Sequence, residues 1–600
     1  MRLHIPSRLL ERFKLHQQTR LLIIAIIIGL FSSLLTVAFR YGVEEVAVHV
    51  RRLWAGVWGI DTERLDELLA GGAVLVARFD TQFLLLPLLP LTGALVIWLM
   101  TRFAPGFVGG YNFPRFLVQV NLHGGIVRLR ETIYRSVAAI VTIGSGGSAG
   151  VEGPVAALGG AAGSGVGRFI QASGSRMRLL VATGVAAAIA ANFNAPITGV
   201  LFAFEIVLLG NFALSSFGAI VISAGIGAVV SRWIFGGFPL FFVPEFTLGH
   251  PWELGLYAGL GILCGLLGGL FIHFFFWVRG RFDAIPGREM SKLFTGALLV
   301  GIIAIGFPQI MGAGYNVIQA TLTAVYPVWF LLAVFFAKAV ATAITLASGM
   351  VGGMFGPPLV LGTMLGAGYA SFAQQVWGLP IDIAPYAIVG MAGLLVAVTR
   401  APLTGLFLLF ELTGSHSIVV PAMFVTILAL VVSTRVATRS IDGEELHRMG
   451  VDLEEGRDSS VMSSILVGDV MQRNFTVINR RTPFKELVKL FSRTSETYFP
   501  VVDEDGRMQG ILSFQDVRGV LFEESLNDVL LAGELATPDV ITLHPVDTLQ
   551  TAMRRFNLKD ITSIPVVDPV DHRLVVGMLH RKDVLDAYNR EQLRRDVTSF

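Results

Sequence analysis

The chain is 600 residues long, 53% hydrophobic and only 15% charged, with a formal net charge of +2 and a mean hydropathy of +0.67. A soluble domain carries about 25% charged residues, so a soluble enzyme and a disordered scaffold are excluded, and the near-zero charge offers no basic field for a nucleic acid. The one cysteine, Cys264, lies in the apolar run GLGILCGLLGGLF and excludes an intramolecular disulfide. The average hides a split. Residues 451–600 hold 42 of the 90 charged side chains, 28% of that stretch, against about 11% in the first 450 residues. A membrane domain followed by an ordinary soluble one is expected.

In chain order, residues 1–20 carry five Lys/Arg and one Glu ahead of the apolar run Leu21–Val37. That run is long enough to cross the hydrocarbon core. No small-residue cleavage pattern follows, which marks a retained first helix with a cytoplasmic N-terminus. Further apolar stretches occupy about 83–100, 132–170, 176–209, 213–233, 254–277, 293–311, 328–347, 351–371, 385–413 and 417–435. Several contain Gly and Pro clusters, so the reading is an all-α, multi-pass domain of more than ten interrupted, partly re-entrant helices over residues 21–450. Broken helices are tolerated in a membrane where the freed backbone lines a cavity.

An internal repeat runs through this domain. Gly110-Tyr111-Asn112 returns as Gly314-Tyr315-Asn316. Ser145-Gly146 and Gly150-Val151-Glu152-Gly153-Pro154 return as Ser348-Gly349 and Gly353-Met354-Phe355-Gly356-Pro357. Ala195-Pro196-Ile197-Thr198-Gly199 returns as Ala401-Pro402-Leu403-Thr404-Gly405, and Phe204-Glu205 as Phe410-Glu411. The repeat halves fall at about 83–236 and 254–437. Paired Gly/Pro interruptions in two halves point to a substrate site near the midplane.

Gly-X-X-Gly-Pro near a helix start leaves backbone N–H groups and the positive end of the helix dipole facing inward. Two such starts aimed at one point bind an anion without a fixed cation, and neither motif contains Lys or Arg. Glu152 sits at such a start, and a carboxylate inside a membrane points to function. Its charge would compete with an anion for the same amides, and protonation would release it; the alternative is a capping Glu in a surface loop. Glu205 and Glu411, at matching positions of the two halves, read as structural caps.

The segments GSGGSAGVEGP, NFNAPITGVLFAFE, GAGYNVI, GGMFGP and APLTGLFLLFEL resemble, in that order, the signatures of the CLC chloride channels and chloride/proton antiporters. The resemblance covers about residues 20–450. It implies two inverted halves, a homodimer with a pore in each subunit, and chloride or another small anion as substrate. It places the gate at Glu152 and the anion contacts at Gly110, Tyr111, Gly153, Met354, Phe355 and Asp442. No enzymatic activity, metal or obligatory cofactor is implied.

Three positions depart from the family pattern. Tyr111 stands where the family usually has the Ser of Gly-Ser-Gly-Ile-Pro, and Ser440-Ile441-Asp442 stands where it often has Ser-Ile-Tyr. Either Tyr111 supplies the missing hydroxyl while Asp442 turns toward the cytoplasm, or the anion preference is altered. Antiporters of the family commonly carry a second Glu after the position of Glu205; here Ile206 follows, and Ile cannot carry a proton. This favours a passive, gated channel over the antiporter alternative.

After a linker over 451–465, residues 466–590 change to short β-branched runs alternating with helical segments, with a tail over 591–600. Pro500-Val501-Val502-Asp503 returns as Pro565-Val566-Val567-Asp568, and Gly468 as Gly533. This resembles a tandem pair of CBS domains, an α/β unit with a regulatory role on the cytoplasmic side. The resemblance implies an adenine nucleotide held by Ser513, Asp516 and Asp583; His580 stands where the second copy would carry Ser or Thr. A CBS-regulated magnesium channel would need rings of acidic residues in its membrane helices, and few acids lie there. A membrane-anchored nucleotide sensor would leave the repeat and Glu152 unexplained. The expected setting is the inner (cell) membrane.

Overall fold

The apolar stretches break where Gly or Pro removes the option of continuing a helix. The computed structural model describes residues 17–58, 84–103, 109–451, 462 and 465–597, apart from 173, 211, 213, 238–239, 243–249, 286–288, 495, 519, 521–528 and 560. Most of the N-terminal segment 1–20 and of the linker 451–465, and the end of the tail, lie outside the described residues. The chain divides into two compact units, Met1–Val451 and Asp452–Phe600.

In the first unit, α1 spans Gln17–Trp58, α2 Leu88–Phe103, α3 Phe113–Asn121, α4 Leu129–Gly144, α5 Glu152–Phe169, α6 Gly174–Phe193, α7 Pro196–Phe202 and α8 Leu214–Phe235. Then follow α9 Glu253–Asp283, α10 Glu289–Gly306, α11 Tyr315–Thr323, α12 Val328–Ala347, α13 Gly356–Trp377, α14 Ile383–Thr399, α15 Pro402–Thr413, α16 Val419–Val436 and α17 Ile441–Arg448. Seven of the described helices are long and apolar enough to cross a membrane, and four shorter apolar ones accompany them. The stretches 132–170, 176–209 and 385–413, each read from sequence as one apolar stretch with internal interruptions, are pairs of separate helices. Asn194 and Arg400, at φ +56° and +62°, end α6 and α14 in the left-handed region, and Pro196 and Pro402 start the next helices.

The two halves repeat each other in conformation as well as in sequence. Gly110 and Gly314 both have φ +84°, and Gly146 and Gly349 have φ +98° and +100°. A Cβ on Gly159 would lie 2.3 Å from the Gly184 carbonyl oxygen, and one on Gly362 would lie 2.2 Å from that of Gly390. Only Gly at these positions lets α5 reach α6, and α13 reach α14, this closely. Helix α1 packs on α6 and α8 as α9 packs on α14 and α16. The first half therefore begins with α1 rather than near residue 83, a pairing that the motifs could not reveal because α1 and α9 share only hydropathy.

Bonds across the two halves are reciprocal. Thr142 Oγ1 accepts from the Val351 amide and Thr345 Oγ1 from the Ser148 amide, both at 3.1 Å. Glu205 accepts from the Leu403 and Thr404 amides and the Thr404 hydroxyl at 3.1, 2.7 and 2.7 Å. Glu411 accepts from the Ile197 and Thr198 amides and the Thr198 hydroxyl at 2.8, 2.7 and 2.7 Å. Each Glu thus caps the helix of the opposite half, satisfying N–H groups that a helix start leaves without partners. Outer faces are apolar: Ile262, Leu266 and Leu270 on α9 and Phe424, Ile427 and Val431 on α16 are exposed. Such a surface suits lipid rather than water.

In the second unit, β1 Ile478–Asn479, β2 Tyr498–Val502 and β3 Met508–Ser513 form one sheet, and β4 Ser563–Val567 and β5 Val575–His580 another. The antiparallel pairs match: Val501 lies opposite Gly510 and Val566 opposite Gly577, with a register shift directly after each Val. The copies exchange their leading segments. Val467, ahead of the first copy, is buried in the second core with Leu543, Phe556 and Val566. Ala532, ahead of the second, is buried in the first core with Phe484, Phe499 and Leu512. The amides of Gly468 and Gly533 donate at 2.9 Å to the carbonyls of Pro545 and Arg480.

Candidate functional site

The starts of α3, α5, α11, α13 and α17 are tied together by short contacts. Gly110, left-handed, donates its amide to the Gly349 carbonyl at 3.0 Å, and Tyr111 then pairs with Gly352 along the backbone. Gly150 and Gly353 exchange amide-to-carbonyl bonds of 2.9 and 2.7 Å, which joins the loops ahead of α5 and α13. The approach leaves no room for a side chain at either glycine: a Cβ on Gly150 would lie 2.3 Å from Glu152 Oε2, and one on Gly353 would lie 2.8 Å from the Gly153 amide nitrogen.

Glu152 is fully buried. Its Oε2 accepts from the Gly356 amide at 2.9 Å and its Oε1 from the Tyr315 hydroxyl at 2.5 Å. It is not a surface cap. It begins α5, but its carboxylate lies on the first amide of α13, in the opposite half. Met354 and Phe355 are buried directly before that amide. Among the described residues, nothing accepts from the amide N–H of Met354 or of Phe355. Buried backbone donors are almost always paired, and two adjacent ones beside a helix start make a site for an anion. Phe355 packs its ring 6.4 Å from Phe193 and 5.4 Å from Phe202, and Gly153 lies against Gly353 and Phe113.

Two side chains at this site were not foreseen from the sequence. Tyr315 holds the Glu152 carboxylate, although only its place in the repeat had been noted. Lys338, fully buried in α12, donates Nζ to the carbonyls of Ile310 and Gly312 at 2.8 and 2.9 Å and so pins the loop that leads into Tyr315. Its signal was legible: it is the single charged residue of α12. A cavity of about 470 Å³ lined by Arg40, Arg51, Asn192 and Tyr315 lies beside this loop.

Tyr111 and Asp442 come together. The Tyr111 hydroxyl donates to Asp442 Oδ1, so Asp442 turns toward Tyr111 and not away from it. The cause is local: Ser440 Oγ accepts from the Gly443 amide at 3.0 Å and caps α17, fixing Asp442 in its first turn.

The profile of the voltage-gated chloride channel family matches residues 92–434, and that of the CBS domain matches 467–523 and 532–590. The chain belongs to the CLC family. It is 32% identical over 435 residues to a putative chloride channel protein ClcB-like of Ralstonia nicotianae, covering 71% of this chain and 97% of that one. It is 31% identical to the H(+)/Cl(−) exchange transporter ClcA of Citrobacter koseri, over 70% and 86% of the two chains. A slow cyanobacterial Cl−/H+ antiporter of known structure is similar at TM-score 0.63 and 26% identity, over 73% of this chain and 99% of that one. A eukaryotic CLC transporter shares the fold at TM-score 0.62 and 20% identity, over 94% and 98%. This is a multi-helix integral membrane transport protein of the CLC type with a tandem CBS pair.

Against that family pattern, Ile206 is buried in a π-helical turn, Ala203–Val207, where it offers no group for a proton. In the first CBS copy, the Ser513 amide and hydroxyl both donate to Asp516 Oδ2 at 2.7 Å. In the second, Asp583 accepts from Gln472 at 2.9 Å, and His580 bonds Ser563 at 2.7 Å. No recorded contact among the described residues joins Ser513 or Asp516 to Asp583.

Proposed function

We propose that this protein moves chloride, or another small anion, across the cell membrane through a path gated by Glu152. The observation that carries the reading is the Glu152 carboxylate on the Gly356 amide, next to the two unpartnered amides of Met354 and Phe355. An ionised carboxylate holds the Gly356 amide and repels an anion from the Met354 and Phe355 amides beside it, and protonation or displacement removes that repulsion. Helix-end partial charges hold the anion loosely enough to let it leave. Glu152→Gln, which keeps the shape and removes the charge, is expected to raise chloride efflux from proteoliposomes at neutral pH. An unchanged efflux would overturn the assignment.

Conduction without proton coupling is the reading that Ile206 supports. Likeness to H(+)/Cl(−) exchange transporters favours the second reading, coupled exchange. A chloride gradient that drives protons uphill would establish exchange and remove the channel reading. The basic N-terminal segment supports a cytoplasmic N-terminus and, with it, cytoplasmic CBS domains. Homodimerisation, with one path per subunit, rests on the family resemblance.

The CBS pair is read as regulatory, with an adenine nucleotide at the first copy, where Asp516 is exposed and keeps one oxygen outside its bond to Ser513. The second copy fits less well, because Asp583 and His580 are already engaged within the chain. Calorimetric titration of the full chain with ATP, set against Asp516→Ala, tests this.

A further inference from the structure

The internal repeat maps Gly110-Tyr111 onto Gly314-Tyr315, and in the fold each tyrosine holds a carboxylate from a distant part of the chain. Tyr315 donates to Glu152, 163 residues away, and Tyr111 donates to Asp442, 331 residues away. Both glycines before these tyrosines share φ +84°. The carboxylates are placed alike too, Glu152 as the first residue of α5 and Asp442 as the second of α17. One segment, Gly352–Gly356, connects the pairs: Tyr111 lies beside Gly352, Glu152 caps Gly356, and the unpartnered amides of Met354 and Phe355 lie between. Two carboxylate–phenol pairs therefore bracket the anion site proposed above.

We propose that Asp442 is a second, acid-sensitive gate at the opposite end of the anion site from Glu152, with Tyr111 as its latch. The proposal rests on the reading of residues 352–356 as the anion site. With Asp442 ionised, its charge repels an anion and holds the Tyr111 hydroxyl. When a proton from solvent adds to the carboxylate, the repulsion ends, the acid becomes a donor, and the hydroxyl is free to face the anion. The chain thereby places a titratable group on the anion path itself, having Ile206 where a proton-carrying Glu is common in the family.

The charged groups around Asp442 leave it as the side chain in contact with Tyr111. Glu445, one turn on in α17, is neutralised by Arg279 of α9 at 2.6 Å. Arg448 of α17 pairs with Glu444 at 3.0 Å. Arg115 of α3 acts on Glu445. Helix α14, which also packs on α17, carries no Asp, Glu, Lys, Arg or His, and its one phenol, Tyr386, stacks on Tyr257 at 4.2 Å.

The test uses full-length protein in liposomes, with chloride efflux followed between about pH 4.5 and 7.5, the range in which a carboxylate titrates. In Glu152→Gln the first gate is gone, so any remaining acid activation belongs elsewhere. Efflux of this variant is expected to fall about tenfold per pH unit above its midpoint, as single protonation requires. Adding Asp442→Asn is expected to flatten the profile at the high level. Tyr111→Phe, which keeps the ring, is expected to move the midpoint to higher pH by removing the donor that favours the ionised carboxylate. A flat profile in Glu152→Gln, or a steep one retained in the double variant, overturns the second gate. A Glu152→Gln efflux equal to wild type overturns the Glu152 reading instead. All three substitutions are near-isosteric, and gel-filtration profiles matching wild type show that the variants fold.

Discussion

Glu411→Ala removes one of the two reciprocal caps that join the repeat halves. Three donors lose their acceptor: the amides of Ile197 and Thr198 and the Thr198 hydroxyl. The Ile197 bond is exposed, so water replaces it, whereas both Thr198 donors are partly buried. A hydrogen bond to a charged acceptor contributes about 1.5–3 kcal/mol, and the lower end suits partial burial, giving about 3 kcal/mol for the two. That lowers the folded-to-unfolded ratio by about two powers of ten. Glu411→Gln keeps one acceptor oxygen and is expected to lose about half as much. Glu205→Ala, which strips the matching donors of Leu403 and Thr404, is expected to lose a similar amount. The assay is an SDS or urea unfolding titration of the purified protein in mild detergent, with efflux per folded molecule measured alongside. A Glu411→Ala midpoint equal to wild type, or a Glu205→Ala loss several-fold different, would refute the capping account. Efflux abolished at full stability would show instead that these carboxylates serve transport.

Lys338→Met leaves the Ile310 and Gly312 carbonyls without their ammonium donor. It is expected to lower stability by about 2–3 kcal/mol in the same unfolding titration, the scale for losing buried bonds to a charged group. In the soluble unit, Ala532→Asp buries a charge in the core of the copy it does not precede. Proteolysis with mass mapping is expected to cut first within 474–518, the first copy, and cutting confined to the second copy would contradict the exchange of leading segments. For pH, the amides of Arg507 and Asp505 and the Gln509 side chain hold the exposed Asp503 carboxyl below its ordinary range, and those of Asp571 and Val570 do the same for Asp568. A carboxyl depressed on folding stabilises above its unfolded pKa, and that contribution is lost as pH falls through the folded value. Asp503→Asn with Asp568→Asn is therefore expected to flatten the acid limb of the soluble unit's unfolding midpoint, measured below about pH 4, the ordinary range for Asp.

Much of the fold was legible in the chain itself, because helix breaks and repeated motifs depend on near neighbours. Pro196 and Pro402 fit the first turn of a helix but not its interior, and the Gly-Tyr-Asn and Ala-Pro-X-Thr-Gly pairs announced two equivalent halves. Glu152 was legible for the same reason, as a carboxylate at a Gly-flanked helix start in an apolar region. The partners were not. The hydroxyl that holds Glu152 comes from Tyr315, and the one that holds Asp442 comes from Tyr111. No local rule links residues 163 and 331 positions apart. Lys338 was visible as a lone charge but not as the pin of the loop before Tyr315. Likewise Val467 and Ala532 look like ordinary leading residues, and only the packed cores show that each completes the other copy. Sequence by itself determined the family, the division into a membrane and a soluble part, and the breaks that expose helix amides. Tertiary structure decided which groups meet at those breaks, since burial of a polar group is settled by the partners that the whole fold delivers to it.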